Sequence, residues 1–133
     1  MNGRDMKNTT IFGFLLKEDT LYEIDKKRII LCRLGKADSP LTVKVVSLND
    51  TQSRLLSYLL MNRKRSYLDK EEIMRCVWDN ENYSSSNQRL WQTMNDVRKK
   101  LSYIGMPETF IKNIYGNGYR IDDSIIMPLF KGY

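Results

Sequence analysis

Histidine is absent from all 133 residues of the chain. Its absence removes the commonest general acid–base side chain, the commonest zinc ligand and every triad built on an imidazole. Carboxylates and lysines remain, but no spacing places two of them together as an acid–base pair, so an enzyme is not expected. No apolar stretch approaches the ~18 residues that a membrane-spanning helix requires. The opening MNGRDMKNTT lacks the apolar core of a secretory signal, and a cytoplasmic protein is expected. Cysteine is scarce: Cys32 and Cys76 are far apart and match no metal or redox spacing, which reads as two buried, reduced thiols. Neither a cofactor nor a metal is expected.

Acidic residues are scarce in one region while basic ones are not. From Ser84 to Arg120 the cations are Arg89, Arg98, Lys99, Lys100, Lys112 and Arg120, against only Asp96 and Glu108. Most of the formal charge of +6 therefore lies in the last third of the chain. Such an excess points toward a polyanion. The length is that of one domain with a single sizeable core. With 41% hydrophobic and 29% charged residues, the balance is that of an ordinary soluble protein.

The first ten residues are polar and read as a flexible N-terminus. From Ile11 to Ser47 short apolar runs (IFGFLL, LYEI, RIILCRL, LTVKVV) alternate with the turn material KEDT, DKK and GKADSP, which predicts four short antiparallel strands. After Ser47 the period becomes helical. Asn49…Gln52, Asp69…Glu72 and Ser85…Gln88 each have the spacing of a capping box, in which two side chains satisfy the free amides of a helix start. The stripes that follow are Leu55, Leu56, Leu59 and Leu60, then Ile73, Met74, Val77 and Trp78, then Leu90, Met94, Val97 and Leu101, each one buried face. Beyond Gly105-Met106-Pro107 the pattern returns to strand as TFIKNIY, then GN, then GYRI.

Gly116 and Gly118 sit at the tip or flank of this last hairpin, where a positive φ is needed and a side chain would clash. A phosphate-cradling glycine loop leads from a strand into a helix. This one leads into another strand, so that use is excluded. The order of four strands, three helices and a hairpin predicts an α+β fold: a winged helix-turn-helix with an N-terminal four-stranded antiparallel sheet, a three-helix core and a C-terminal β-hairpin wing. The expected divisions are a flexible 1–10, a domain over 11–124 and a tail over 125–133.

With the apolar stripe of the third helix turned inward at 100° per residue, Gln88, Gln92, Asn95 and Lys99 cluster on the opposite face. Trp91 and Arg98 flank them on one side, and Arg89, Asp96 and Lys100 on the other. Amides and cations on a helical face suit the major groove, where Gln and Asn pair with adenine and Arg and Lys with guanine. A solvated face has the same composition. Trp91 could meet a thymine methyl or sugar, or cover a joint with the second helix or the hairpin. Trp78 is expected in the core. The run Arg63-Lys64-Arg65 reads as a solvated turn or a phosphate contact.

The strings LNDTQSRLLSYLL, LDKEEIMRCVW, RLWQTMNDVRKKL and FIKNIYGNGYRI resemble the effector domain of OmpR/PhoB-type transcription regulators over about residues 11–121. The last string, ending in Gly-x-Gly-Tyr-Arg, is the most specific. Only about ten residues precede the match, too few for a receiver domain, so the arrangement is similar to the ToxR/CadC-like branch.

The resemblance implies a bacterial, sequence-specific regulator of double-stranded DNA, with a recognition helix over about 86–102 in the major groove. A wing over 109–121 would lie at the minor groove or backbone. The DNA-binding residues it implies are Gln88, Arg89, Trp91, Gln92, Asn95, Arg98 and Lys99 on the helix, and Lys112, Tyr115 and Asn117 on the wing. The loop between the second and third helices would contact RNA polymerase through Asp79, Glu81 and Tyr83. A homodimer on directly repeated sites is also implied, nucleoid-associated, and membrane-tethered if a C-terminal membrane segment has been removed. The rival reading is a winged helix used for protein contact, as an anti-regulator or polymerase adaptor, for which Asp96 and the apolar IIMPLF leave room.

Overall fold

The computed structural model describes residues 10–35, 40–78, 87–114, 116 and 118–132. The chain divides into two compact units, Met1–Ser47 with Ile125–Tyr133, and Leu48–Ser124.

The first unit is an antiparallel sheet. Its strands are β1 (Thr10–Lys17), β2 (Thr20–Glu23), β3 (Arg28–Arg33), β4 (Thr42–Ser47) and β8 (Met127–Lys131), in the order β4-β3-β2-β1-β8. The four expected strands are present, and the sheet gains a fifth from the segment read as a tail. Pro128 obscures that strand in the sequence, because proline donates no ladder hydrogen bond. Its place on an edge strand, opposite Phe14 of β1, resolves the difficulty.

Period-two alternation gives the sheet two distinct faces. Phe14, Leu16, Tyr22, Ile29 and Leu31 are buried. Met127, Leu15, Leu21, Ile30 and Val45 form a register row across all five strands on the other face. Cys32 lies on that second face opposite Val43, and it is exposed, as is Cys76. The expectation of two buried thiols is therefore wrong: Cys32 alternates with buried Leu31, and Cys76 sits on the polar side of its helix next to Arg75. Gly13 is required by close packing, since a Cβ there would overlap the Tyr22 carbonyl oxygen.

The second unit starts with α1 (Asp50–Met61). Its capping box is complete: Asn49 Oδ1 accepts from the Gln52 amide at 2.8 Å, and the Asn49 amide donates to Gln52 Oε1 at 3.0 Å. A two-residue strand, β5 (Leu68–Asp69), leads into α2 (Lys70–Trp78). Asp69 Oδ2 accepts from the amides of Glu71 at 3.0 Å and Glu72 at 3.3 Å. The Glu72 carboxylate takes the Arg65 guanidinium instead, at 2.6 and 2.9 Å, so the second expected box is made on the Asp69 side. The third expected box begins at Ser85, outside the described residues.

Then comes α3 (Asn87–Ile104), which runs two residues beyond its expected end. It closes with the Met106 amide donating to the Leu101 carbonyl at 2.9 Å and Gly105 at φ 104°. That is a left-handed glycine stop, and Pro107 prevents continuation. After a 3₁₀ turn at Glu108–Phe110, β6 (Ile111–Ile114) and β7 (Gly118–Ile121) form the hairpin, with β5 as a third strand on β7.

All three apolar stripes read from the sequence are buried, including Trp78, and α1 packs on both α2 and α3. Each fully buried Leu, Ile or Val contributes roughly 1.5–3 kcal/mol over its exposed state. That burial, rather than helix propensity, fixes which side of α3 remains outward.

Candidate nucleic-acid interface

The polar side of α3 is set by its buried seam of Leu90, Met94, Val97, Leu101 and Ile104. Gln88, Arg89, Trp91, Gln92 and Lys99 are exposed, and Asn95 and Arg98 are half-buried. Trp91 is 56% exposed, so most of its ring is open to a partner rather than covering a joint. Gln92 Nε2 donates to Asp96 Oδ1 at 3.1 Å, one turn along the same face. The Arg89 guanidinium lies 5.9 Å from the centre of the Trp78 ring, a cation–π contact that ties the start of α3 to the end of α2. Lys100 turns away, donating to Gln52 Oε1 at 2.8 Å and so bracing α3 against the cap of α1.

Among the described residues, Arg98 ties the wing to this helix. Arg98 Nη2 donates to the Ile111 carbonyl at 3.0 Å and to Asn113 Oδ1 at 2.5 Å. The same guanidinium stacks 5.6 Å from the centre of the buried Tyr119 ring. Burial pulls the Arg98 guanidinium below its ordinary range, partly opposed by the Tyr119 hydroxyl, and burial pushes the Tyr119 phenol up. Arg98, expected from the helical wheel as a flanking DNA ligand, is thus engaged between helix and hairpin. Periodicity could not reveal this, because the partners stand 13 and 15 residues away on another element.

The two glycines of the hairpin do different jobs. Gly116 adopts φ +74°, the left-handed region that glycine enters without penalty. Gly118 permits the approach of β5, because a Cβ there would overlap the Leu68 carbonyl oxygen. Of the expected wing contacts, Lys112 is exposed, while Tyr115 and Asn117 lie outside the described residues. So do Asp79, Glu81 and Tyr83 of the expected polymerase loop.

Between α3 and β6 runs a groove of about 660 Å³, lined among others by Asn95, Arg98, Lys99, Lys112 and Asn113. It gathers three expected helix residues and one expected wing residue into a single concavity. Asn113 is an addition that sequence reasoning missed. Its place directly opposite Tyr119 follows only from the β6–β7 register. Among the described residues no cluster of three or more Cys, Asp or Glu could hold a metal, and no helix is long and apolar enough to cross a membrane.

Three helices closed by a β-hairpin, with a polar helix face beside that hairpin, define the winged helix-turn-helix class. Residues 43–121 match the family described as "Transcriptional regulatory protein, C terminal". The chain belongs to this OmpR/PhoB-type family and is a DNA-binding transcription-regulator domain, a class that is typically non-enzymatic.

Solved structures agree on the fold. The DNA-binding domain of Escherichia coli CadC superposes with a TM-score of 0.61 at 16% identity, covering 91% of this chain and 96% of that one. The DNA-binding domain of the response regulator AdeR, solved in complex with an intercistronic region, gives 0.59 at 17% identity, covering 80% and 96%. The C-terminal domain of the nisin resistance regulator NsrR, a lantibiotic response regulator, gives 0.53 at 27% identity, covering 86% and 96%. Comparison with curated proteins finds no match.

Proposed function

We propose that the chain is a sequence-specific regulator that lays the outer face of α3 in the major groove of double-stranded DNA. The wing then reaches the adjacent minor groove or its phosphates. The observation that carries this reading is the joint placement of Asn95, Lys99 and Lys112 on one groove, with Gln88 and Gln92 exposed further along the same helix. Asn95, Gln88 and Gln92 have the donor–acceptor pairs that read adenine. Lys99 and Lys112 supply charge for the backbone. Two copies on directly repeated half-sites, and contact of the 79–86 loop with RNA polymerase, belong to the same proposal.

The test is binding to sites selected from genomic fragments, measured across a salt series. Log K falls with log salt at about −0.9 per neutralised phosphate. Asn95→Ala relaxes discrimination at one position by about 1–3 kcal/mol. Lys99→Ala weakens all sequences alike and shallows the slope by about one. Binding insensitive to salt, or both variants behaving as wild type, rejects the reading.

One observation favours a protein partner as a second reading. Val43 and Val45 of edge strand β4 are exposed, as is Met127 at the other edge, on the same face as Leu15, Leu21 and Ile30. This apolar sheet face has the character of an interaction surface. Failure to retain any preferred DNA fragment would bring that reading forward.

A further inference from the structure

The opposite face of the wing presents a second feature, of which the DNA reading uses only Lys112. Side chains alternate along β6 and β7, so Lys112 and Arg120, directly opposite each other, point away from the side on which Arg98 meets Asn113 and Tyr119. Like charges directly opposite in an antiparallel pair repel. They border a cleft of about 570 Å³ whose other wall is the turn Arg63-Lys64-Arg65-Ser66, with Asp122 and Asp123 at its end.

The acids around this cleft already have partners. Asp123 takes Arg63 at 3.1 Å and Lys64 at 3.5 Å, and Glu72 takes Arg65. Asp122 Oδ1 accepts from the Ser124 amide at 3.0 Å. That bond, with the Ser124 hydroxyl, holds its carboxyl below the usual range, helped by Lys112 and Arg120. Of the turn cations, Lys64 and Arg65 stay largely exposed, as a solvated turn would have them, while Arg63 is mostly covered against Asp123. Lys112 and Arg120 form no ion pair among the described residues.

We infer that this cleft binds a phosphate group between Lys112, Arg120 and the Lys64–Ser66 turn. Two cations that make no ion pair among the described residues, held opposite each other by sheet register with only the charge of Asp122 beside them, neutralise a multiply charged oxyanion at little ordering cost. The Ser66 side chain offers a hydroxyl donor at the same wall. The phosphate comes either from a free polyphosphate-bearing ligand or from the backbone of a duplex that continues past the wing.

The test uses the whole chain, labelled with ¹⁵N, titrated with tripolyphosphate at low ionic strength. Amide shifts are expected to concentrate at 63–66, 112 and 120–123, a readout that needs no variant. Lys112→Ala/Arg120→Ala weakens tripolyphosphate binding by about tenfold or more, in line with charge-assisted contacts. Lys26→Ala/Lys131→Ala, which removes the same charge from the sheet unit, leaves it within about twofold, the size of a screened long-range effect.

In the DNA arm, Arg120→Ala, at a residue the regulator reading leaves aside, lowers the salt slope by about 0.9 if a duplex phosphate occupies the cleft, and leaves it unchanged if the ligand is free. Shifts spread evenly over the surface together with no change in the DNA slope would overturn the inference, as would equal losses in both double variants. If the wild type binds no DNA at all, the regulator reading fails while the tripolyphosphate arm still decides the cleft.

Discussion

The sheet unit and the helical unit are closed by contacts of different reach. In the helical unit the described helix boundaries at Asn49, Asp69 and Gly105 are secured by neighbours: Asn49 with Gln52, Asp69 with Glu71 and Glu72, Gly105 and Met106 with the last turn of α3. In the sheet unit β1 lies between β2, a few residues on, and β8, near the opposite end of the chain. The second kind of contact requires a long loop to close before any hydrogen bond repays it. Short-range closure defines where elements start and stop, and long-range closure defines which edge is covered.

The strongest way to break this contrast is to delete residues 125–132. Strand β1 then loses its β8 ladder, and with several backbone hydrogen bonds at about 1 kcal/mol each, a loss of about 3 kcal/mol is expected. Hydrogen exchange should show it as lost protection along Thr10–Leu15. Protection unchanged there would mean β8 contributes nothing to the sheet.

Gly118→Ala comes next. Its methyl cannot coexist with the Leu68 carbonyl, so β5 must separate from β7 at a cost of about 2 kcal/mol, read as a lower urea midpoint. A midpoint equal to wild type would show that the β5–β7 approach is not needed.

Asn49→Ala removes one cap and should cost about 1 kcal/mol. Asn49→Asp, which preserves the acceptor, should recover most of it.

Smallest is the Arg65–Glu72 pair, which solvent screens. Hydrogen bonds from Arg65, then from the Tyr58 hydroxyl, hold the Glu72 carboxyl down at about 2. A depressed carboxyl contributes stability that is fully present above its unfolded value of about 4.3 and is lost as the pH falls toward 2. The stability gap between wild type and Glu72→Gln should therefore be open at pH 6 and closed near pH 2. A gap constant across that range would show that ionisation of Glu72 is irrelevant to it.

The same contrast explains what could be read from the sequence. Capping residues, apolar stripes and the two wing glycines are local signals, and the three helices, the hairpin and the outward face of α3 were all legible from them. Strand β5 was not, because two residues carry no periodicity. Strand β8 was hidden by Pro128, whose tolerance depends on being at an edge that only the folded sheet defines. Cys32 was misjudged because composition favours burial for cysteine, whereas its strand parity places it outward. On the candidate interface, the helix wheel found the exposed amides and lysine but could not distinguish Arg98, whose partners come from β6 and β7. For the basic turn at 63–65 only the ion pairs with Asp123 were out of reach, because that acid lies about sixty residues away.

The guanidinium that bridges helix and hairpin has a practical consequence for anyone scanning this domain by alanine. Replacing Arg98 would free the hairpin to drift from its helix, and affinity would drop even if that arginine never meets a nucleotide. A loss of binding at this position therefore reports on the spacing between two reading elements, and only a variant that keeps the bridge while changing the charge elsewhere can separate the two.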